Sequence, residues 1–228
     1  MRSNPIATAA GVCEGADSMQ LEAIAISVDG PHATVLRPTS AQARSGDVCV
    51  VEGPPGAGHT ALSLVLGGRL RPDRGHVLVD GERAAQTLRE SVALVDVPDV
   101  SEPDEVLKLS TIVAEELAMA GRPAGARAVR TWLDHHDADA WHGTRVEEVP
   151  GAVRLMVLAE LAALRPGTEA LVICCPDRYG TSADDAYAVA ERLAQRHLVV
   201  VLQLMATTAR VLGTERFALG NAGEDVVA

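Results

Sequence analysis

Aromatic side chains are nearly missing: two Trp, two Tyr and one Phe in 228 residues. Stacking platforms for nucleic-acid bases are therefore scarce. Positive charge is in deficit as well, with 20 Lys and Arg against 31 Asp and Glu and a net charge of −11. This balance argues against a protein that grips nucleic acid through its phosphates, and no nucleic-acid partner is expected. No run of 18 apolar residues exists, so nothing reads as a membrane-spanning helix. Residues 1–18 lack the apolar stretch of a signal peptide and read as a loose tail. Without a secretory signal, the four cysteines (Cys13, Cys49, Cys174 and Cys175) are expected to be reduced thiols in the cytoplasm. Repeats and low-complexity segments are absent too.

What is present is an apolar content of 47%, enough for one α/β domain with a sizeable core. Short apolar runs alternate with helical patterns. Leu21–Val28, Thr34–Ala43, Asp47–Val51, His76–Val79, Val92–Val97, Ala170–Cys174, Leu198–Leu202 and Arg216–Leu219 read as strands. Ala61–Leu66, Asp104–Ala120, Ala126–His136, Ala152–Leu164 and Asp184–Arg196 read as helices, and Asp80-Gly81 reads as a hairpin turn. The expected class is α/β: a mostly parallel sheet with flanking helices, an antiparallel N-terminal part, and a helical insertion at about 98–150 within a single domain over 19–228.

Between the third strand and its helix lies Gly53-Pro54-Pro55-Gly56-Ala57-Gly58-His59-Thr60. Strand, glycine-rich turn and helix start together read as a phosphate-binding loop. Gly56 and Gly58 can take positive φ, so successive N–H groups point into one concavity beside the helix N-terminus. Thr60 supplies a hydroxyl suited to Mg²⁺. Where the pattern wants lysine, His59 stands, shorter and mostly neutral at pH 7. The bland alternative is a tight turn with no ligand. Cys174-Cys175 is read as a pair of buried, inert thiols on opposite faces of a strand. His135-His136 is read as a solvated helix end, Glu115-Glu116 as an exposed face, and Asp184-Asp185 as helix-capping groups.

The order of these parts resembles the nucleotide-binding subunit of ABC transporters, from about Met19 to the C-terminus. The most specific fragment is Leu66-Gly67-Gly68-Arg69-Leu70-Arg71-Pro72-Asp73-Arg74-Gly75-His76-Val77-Leu78-Val79-Asp80-Gly81-Glu82, in its place after the glycine loop. The resemblance implies a P-loop NTPase fold, with ATP and Mg²⁺ as ligands. It also implies a head-to-tail dimer with a second nucleotide-binding subunit, identical or different. A separate transmembrane permease would hold the chain at the inner face of the cell membrane.

The family's catalytic side chains do not match. Val97 falls where the family has a glutamine, with Asp96 the nearest polar group. Val149-Pro150-Gly151-Ala152-Val153 falls on the signature, of which only the first glycine is kept. Cys174-Cys175 falls on the aspartate–glutamate pair, and Gln203-Leu204 on the switch histidine. No aromatic lies in Asp29–His32 to stack on adenine. Hydrolysis needs a carboxylate to position water and charge to stabilise the γ-phosphate. The expectation is a degenerate cassette, binding nucleotide with weak or no hydrolysis. Two alternatives stay open: a regulatory or interaction module that lost the ligand, and an ATPase that recruited Asp96 or Asp177.

Overall fold

The computed structural model describes residues 18–223. The expected tail therefore lies outside the described residues, apart from Ser18. Four apolar runs are short, β-branched and closed to water on both sides: β3 (Val48–Gly53), β5 (Val92–Val95), β6 (Ala170–Cys174) and β7 (Val199–Met205). Such runs satisfy their backbone only inside a sheet covered on both faces. They pair in parallel, with β8 (Arg216–Ala218) at one edge, in the order β5-β6-β7-β3-β8. A separate antiparallel sheet, β2-β1-β4, is built from β1 (Gln20–Asp29), β2 (Thr34–Arg44) and β4 (Arg74–Val79).

Seven α-helices complete the described chain: α1 (His59–Leu66), α2 (Ala85–Ser91), α3 (Leu109–Met119), α4 (Ala126–His135), α5 (Gly151–Ala163), α6 (Ala183–Ala194) and α7 (Ala206–Ala209). One core lies between the parallel sheet, α1 and the antiparallel sheet, with Leu36, Val51, Leu62, Val65 and Val172. A second covers the opposite face, with Leu155, Ala159, Ala186, Leu193 and Ile173. A third belongs to the helices, with Leu109, Val113, Val129, Leu133, Val157 and Leu161. α5 serves both of the last two: Leu155 and Ala159 face the sheet, Val157 and Leu161 face α3 and α4. None of the helices is long and apolar enough to cross a membrane.

Three local expectations are corrected. The helix expected from Asp104 begins at Leu109. Lys108 is extended and bridges Arg145, and the Val146 N–H donates to the Leu107 carbonyl at 2.9 Å. This β-type pairing overrides helical periodicity before Leu109. Asp80-Gly81 does form a tight turn, closed by Val79 and Glu82 in reciprocal 2.9 Å bonds, but the chain then enters α2 rather than a returning strand. Glu116 is not a free surface group; it takes a bidentate hydrogen bond from Arg165 at 2.9 and 3.1 Å.

The antiparallel sheet depends on one glycine. β1 bulges between Ile24 and Ser27, with Ala25 at φ 45°. Gly75, at φ 72°, lies so close that a β-carbon there would strike the Ile24 and Ala25 carbonyls. Gly81, at φ 82°, faces open space. Gly81→Ala is expected to cost about 1 kcal/mol of left-handed strain alone. Gly75→Ala adds the collision and is expected to cost roughly 3 kcal/mol or more, read from denaturant midpoints.

Candidate functional site

Parallel pairing sets where chemistry collects. The carboxyl ends of β3, β5, β6 and β7 face the same edge, where ligands of open α/β sheets bind. That edge gathers Gly53 and its loop, Asp96, Cys174-Cys175 and Met205. Residues far apart in sequence thus become neighbours.

Gly56 takes φ 78° and Gly58 φ 105°, and α1 begins behind them at His59. The Ala57 N–H turns back to the Pro54 carbonyl at 3.1 Å. α1 has no side-chain cap, and its first N–H groups have no intrahelical acceptor. They open onto a cavity of about 280 Å³ shared by Gly56, Gly58, Thr60, Cys174, Cys175 and Arg178. Pro54 and Pro55 sit exposed at the entry. Gly58 is also packed against β2: a β-carbon there would come within 2.6 Å of the Val35 carbonyl oxygen.

His59 does not reach outward as a lysine would. Its imidazole is 8% exposed and folded under the loop, with neither ring nitrogen hydrogen-bonded. Burial pushes it below the ordinary histidine value, the Asp177 charge opposing and the Arg178 charge assisting. The one lysine of the chain, Lys108, bridges Arg145 in the segment before α3 and supplies no substitute. The cradle's charge is therefore main-chain dipole, with Arg178 beside it.

Asp96 is committed elsewhere, while Asp177 keeps one carboxylate oxygen, Oδ1, buried without a hydrogen-bond partner. Arg154, 2% exposed, makes a bidentate bond to Asp96, Nε to Oδ2 at 3.1 Å and Nη2 to Oδ1 at 2.8 Å. Its guanidinium lies 3.8 Å over the Tyr179 ring, and Tyr179 hydrogen-bonds Glu102. Arg178 reaches across to donate to the Asp96 carbonyl at 2.6 Å. Burial alone would lower the Arg154 guanidinium; the bonds and charge of Asp96 outweigh it and hold it above its ordinary value. Asp177 accepts from the Met205 N–H at 3.0 Å. No sequence pattern marks Arg154, which sits just after Val149–Val153 in an apolar helical stripe.

Gln203, at the place of the switch histidine, is fully buried and donates to Ser63 at 2.7 Å; Ser63 in turn donates to the His59 carbonyl at 3.0 Å. It anchors α1 from below. Gly151 is kept for close packing: a β-carbon there would strike the Tyr179 carbonyl and come within 2.7 Å of the Thr181 hydroxyl.

The reading of Cys174 and Cys175 is corrected on one point, their placement. Cys175 leaves the strand at φ 46°, ψ 60°, so both thiols enter the same core cluster rather than opposite faces. The neighbouring Cys175 thiol draws Cys174 below its ordinary value, while Cys174 and burial push Cys175 up. Outside the cradle, His136 stacks on Trp132 at 3.9 Å and bonds its carbonyl. Ser182, rather than Asp184 or Asp185, is the N-cap of α6; it bonds the Asp185 N–H and carboxylate. Glu160 is mostly buried and accepts a hydrogen bond from Arg196 at 2.7 Å.

The donor set fits phosphate groups better than a resident metal. Open helix-end amides suit an anion. No cluster of three His, Cys, Asp or Glu among the described residues could hold a metal ion. A hard cation wants several oxygen ligands, and the protein offers it the Thr60 hydroxyl.

The Asp96–Arg154 pair carries a stability prediction. Arg154→Ala strands a buried carboxylate and is expected to cost about 3–5 kcal/mol. An Asp96→Asn/Arg154→Met double variant, which removes both charges and keeps a residue that tolerates the left-handed φ of 56° at position 96, is expected to recover part of that loss in the same denaturant titration.

No protein-family model matches the chain. It is 30% identical over 131 residues to an aliphatic sulfonates import ATP-binding protein of Nocardia farcinica, covering 55% of this chain and 50% of that one. It is 37% identical over 116 residues to a hemin import ATP-binding protein of Pseudomonas putida, covering 47% of this chain and 43% of that one. The chain spans half or less of the length of the curated relatives it matches. Among solved structures, a nucleotide-free ATP-binding cassette from an ABC transporter superposes with TM-score 0.61 at 15% identity, covering 88% of this chain and 87% of that one. An ATP-binding subunit of an ABC transporter superposes with TM-score 0.60 at 20% identity, covering 87% and 85%. The fold is that of an ABC nucleotide-binding cassette, and the chain is related in sequence to the ATP-binding subunits of ABC transporters.

Proposed function

We propose that the chain is the ATP-binding subunit of a membrane transporter whose nucleotide site holds ligand and turns it over weakly or not at all. The observation that carries this is the pairing of an open main-chain cradle with two thiols in place of the catalytic carboxylates. The cradle asks only for phosphate oxygens, which Gly56, Gly58, His59 and Thr60 meet through their N–H groups. The Thr60 hydroxyl serves Mg²⁺ that arrives on the nucleotide. Arg178, beside the cavity, supplies the positive charge that His59 does not.

Hydrolysis is a different demand. A water must be oriented and relieved of a proton, and charge must be stabilised as the γ-phosphoryl group leaves. Asp96 is locked to Arg154, and Asp177 holds a backbone amide. Losing a single stabilising group commonly costs a hundredfold or more, and groups that act as a unit fail together. Turnover would then belong to a second nucleotide-binding subunit, of the same or a different sequence, across a head-to-tail interface. A separate transmembrane permease would place both at the cytoplasmic face. Relatives named as import ATP-binding proteins support this assignment.

One observation favours a second reading, a regulatory or interaction module that no longer binds nucleotide. His59 is buried without a hydrogen-bond partner, as a filler side chain would be.

Titration with a fluorescent ATP analogue separates the two. Saturable binding below millimolar, weakened by Thr60→Ala when magnesium is present, is expected. No saturation would establish the second reading. Sustained ATP turnover by the purified chain, lost in Asp177→Asn, would instead show a recruited base.

A further inference from the structure

Two adjacent thiols in a regular strand cannot meet, because successive side chains point to opposite faces. Here they do. β6 stops at Cys174, and Cys175 turns left-handed while its N–H is fixed to the Gln203 carbonyl at 3.0 Å. Both sulfurs enter one core cluster, and both line the cavity beside the phosphate loop. Arg178, whose Nε has no hydrogen-bond partner, lines the same space. Nothing in the proposed nucleotide site uses the sulfurs.

We propose that Cys174 and Cys175 form an oxidisable thiol pair, which a small hydroperoxide closes to a vicinal disulfide. Cys174 is the attacking sulfur. Arg178 lines the same cavity and offers its anion a positive charge. The Cys174 thiolate attacks one oxygen of hydrogen peroxide, the O–O bond breaks, and hydroxide leaves to take up a proton. Cys174 becomes a sulfenic acid. The Cys175 sulfur then attacks that sulfur, forming the S–S bond and expelling the oxygen as water. In sum, two thiols and one peroxide give one disulfide and two waters.

The surroundings restrict the oxidant. Each cysteine is 1% exposed, and entry is through a cavity of about 280 Å³. A peroxide fits this opening, whereas glutathione disulfide is excluded from the folded chain. Cys49 provides an internal comparison. It is buried alone in β3, and burial together with the Glu215 charge pushes its thiol up to about 12.

The test is peptide mapping by mass spectrometry after brief hydrogen peroxide treatment of the folded protein, in a Cys13→Ser background. The peptide spanning Cys174 and Cys175 is expected to become lighter by two hydrogen atoms and to revert with dithiothreitol. Cys49 is expected to stay alkylatable. Glutathione disulfide is expected to leave the pair untouched. In Cys175→Ser the sulfenic acid cannot be resolved, so dimedone is expected to label Cys174; the reciprocal Cys174→Ser is expected to give no label. A pair that remains alkylatable at peroxide doses that oxidise free cysteine would overturn the proposal, as would oxidation that falls equally on Cys49. The wild-type map decides the matter even if a serine variant folds poorly.

Discussion

The buried bond between Asp96 and Arg154 governs how the two halves of the molecule meet. Asp96 follows the end of β5, and Arg154 lies in the first turn of α5. Between them they hold the end of β5 to α5, the helix against which the insertion packs. A charge pair this dry is costly unless every polar atom is answered. Here the answer is partial: Arg178 on the Asp96 carbonyl, Tyr179 beneath the guanidinium and Glu102 on the Tyr179 hydroxyl, while Arg154 Nη1 has no hydrogen-bond partner and lies 3.6 Å from Glu105. The group that could have served as a displaced catalytic carboxylate is thereby tied into the scaffold.

Packing and hydrogen bonding also fix which residues stand at the edge of the sheet. Gly58 and Gly151 remain because another backbone crowds their Cα atoms, a demand that holds with or without catalysis. Gln203 remains polar because it bonds Ser63 beneath α1. Cys174 and Cys175 are packed into the core and also line the cavity beside the phosphate loop. A scaffold under packing constraint can outlast a side-chain constellation that needs a carboxylate, a cation and a sensor at once.

Much of the fold was legible in the chain because its signals are local. β-branched runs, glycine turns and a proline-terminated helix each act within a few residues. The loop from Gly53 to Thr60 was legible for the same reason, and its two positive-φ glycines lie where the pattern placed them. The start of α3 was misjudged because Lys108 answers to Arg145, thirty-seven positions away, rather than to its own periodicity. Arg154 was invisible because no pattern marks which charge in an apolar helix will find a partner across the fold. The meeting of the two thiols escaped notice because one backbone angle at Cys175, set by its bond to Gln203, reverses the alternation that strands obey.

α5 presents Leu155 and Ala159 to the sheet and Val157 and Leu161 to the helices. Neither hydrophobic cluster is complete without it. A segment shared in this way leaves no seam along which the helical lobe could melt by itself. The expected thermal behaviour is a single cooperative transition, in which sheet and lobe denature together.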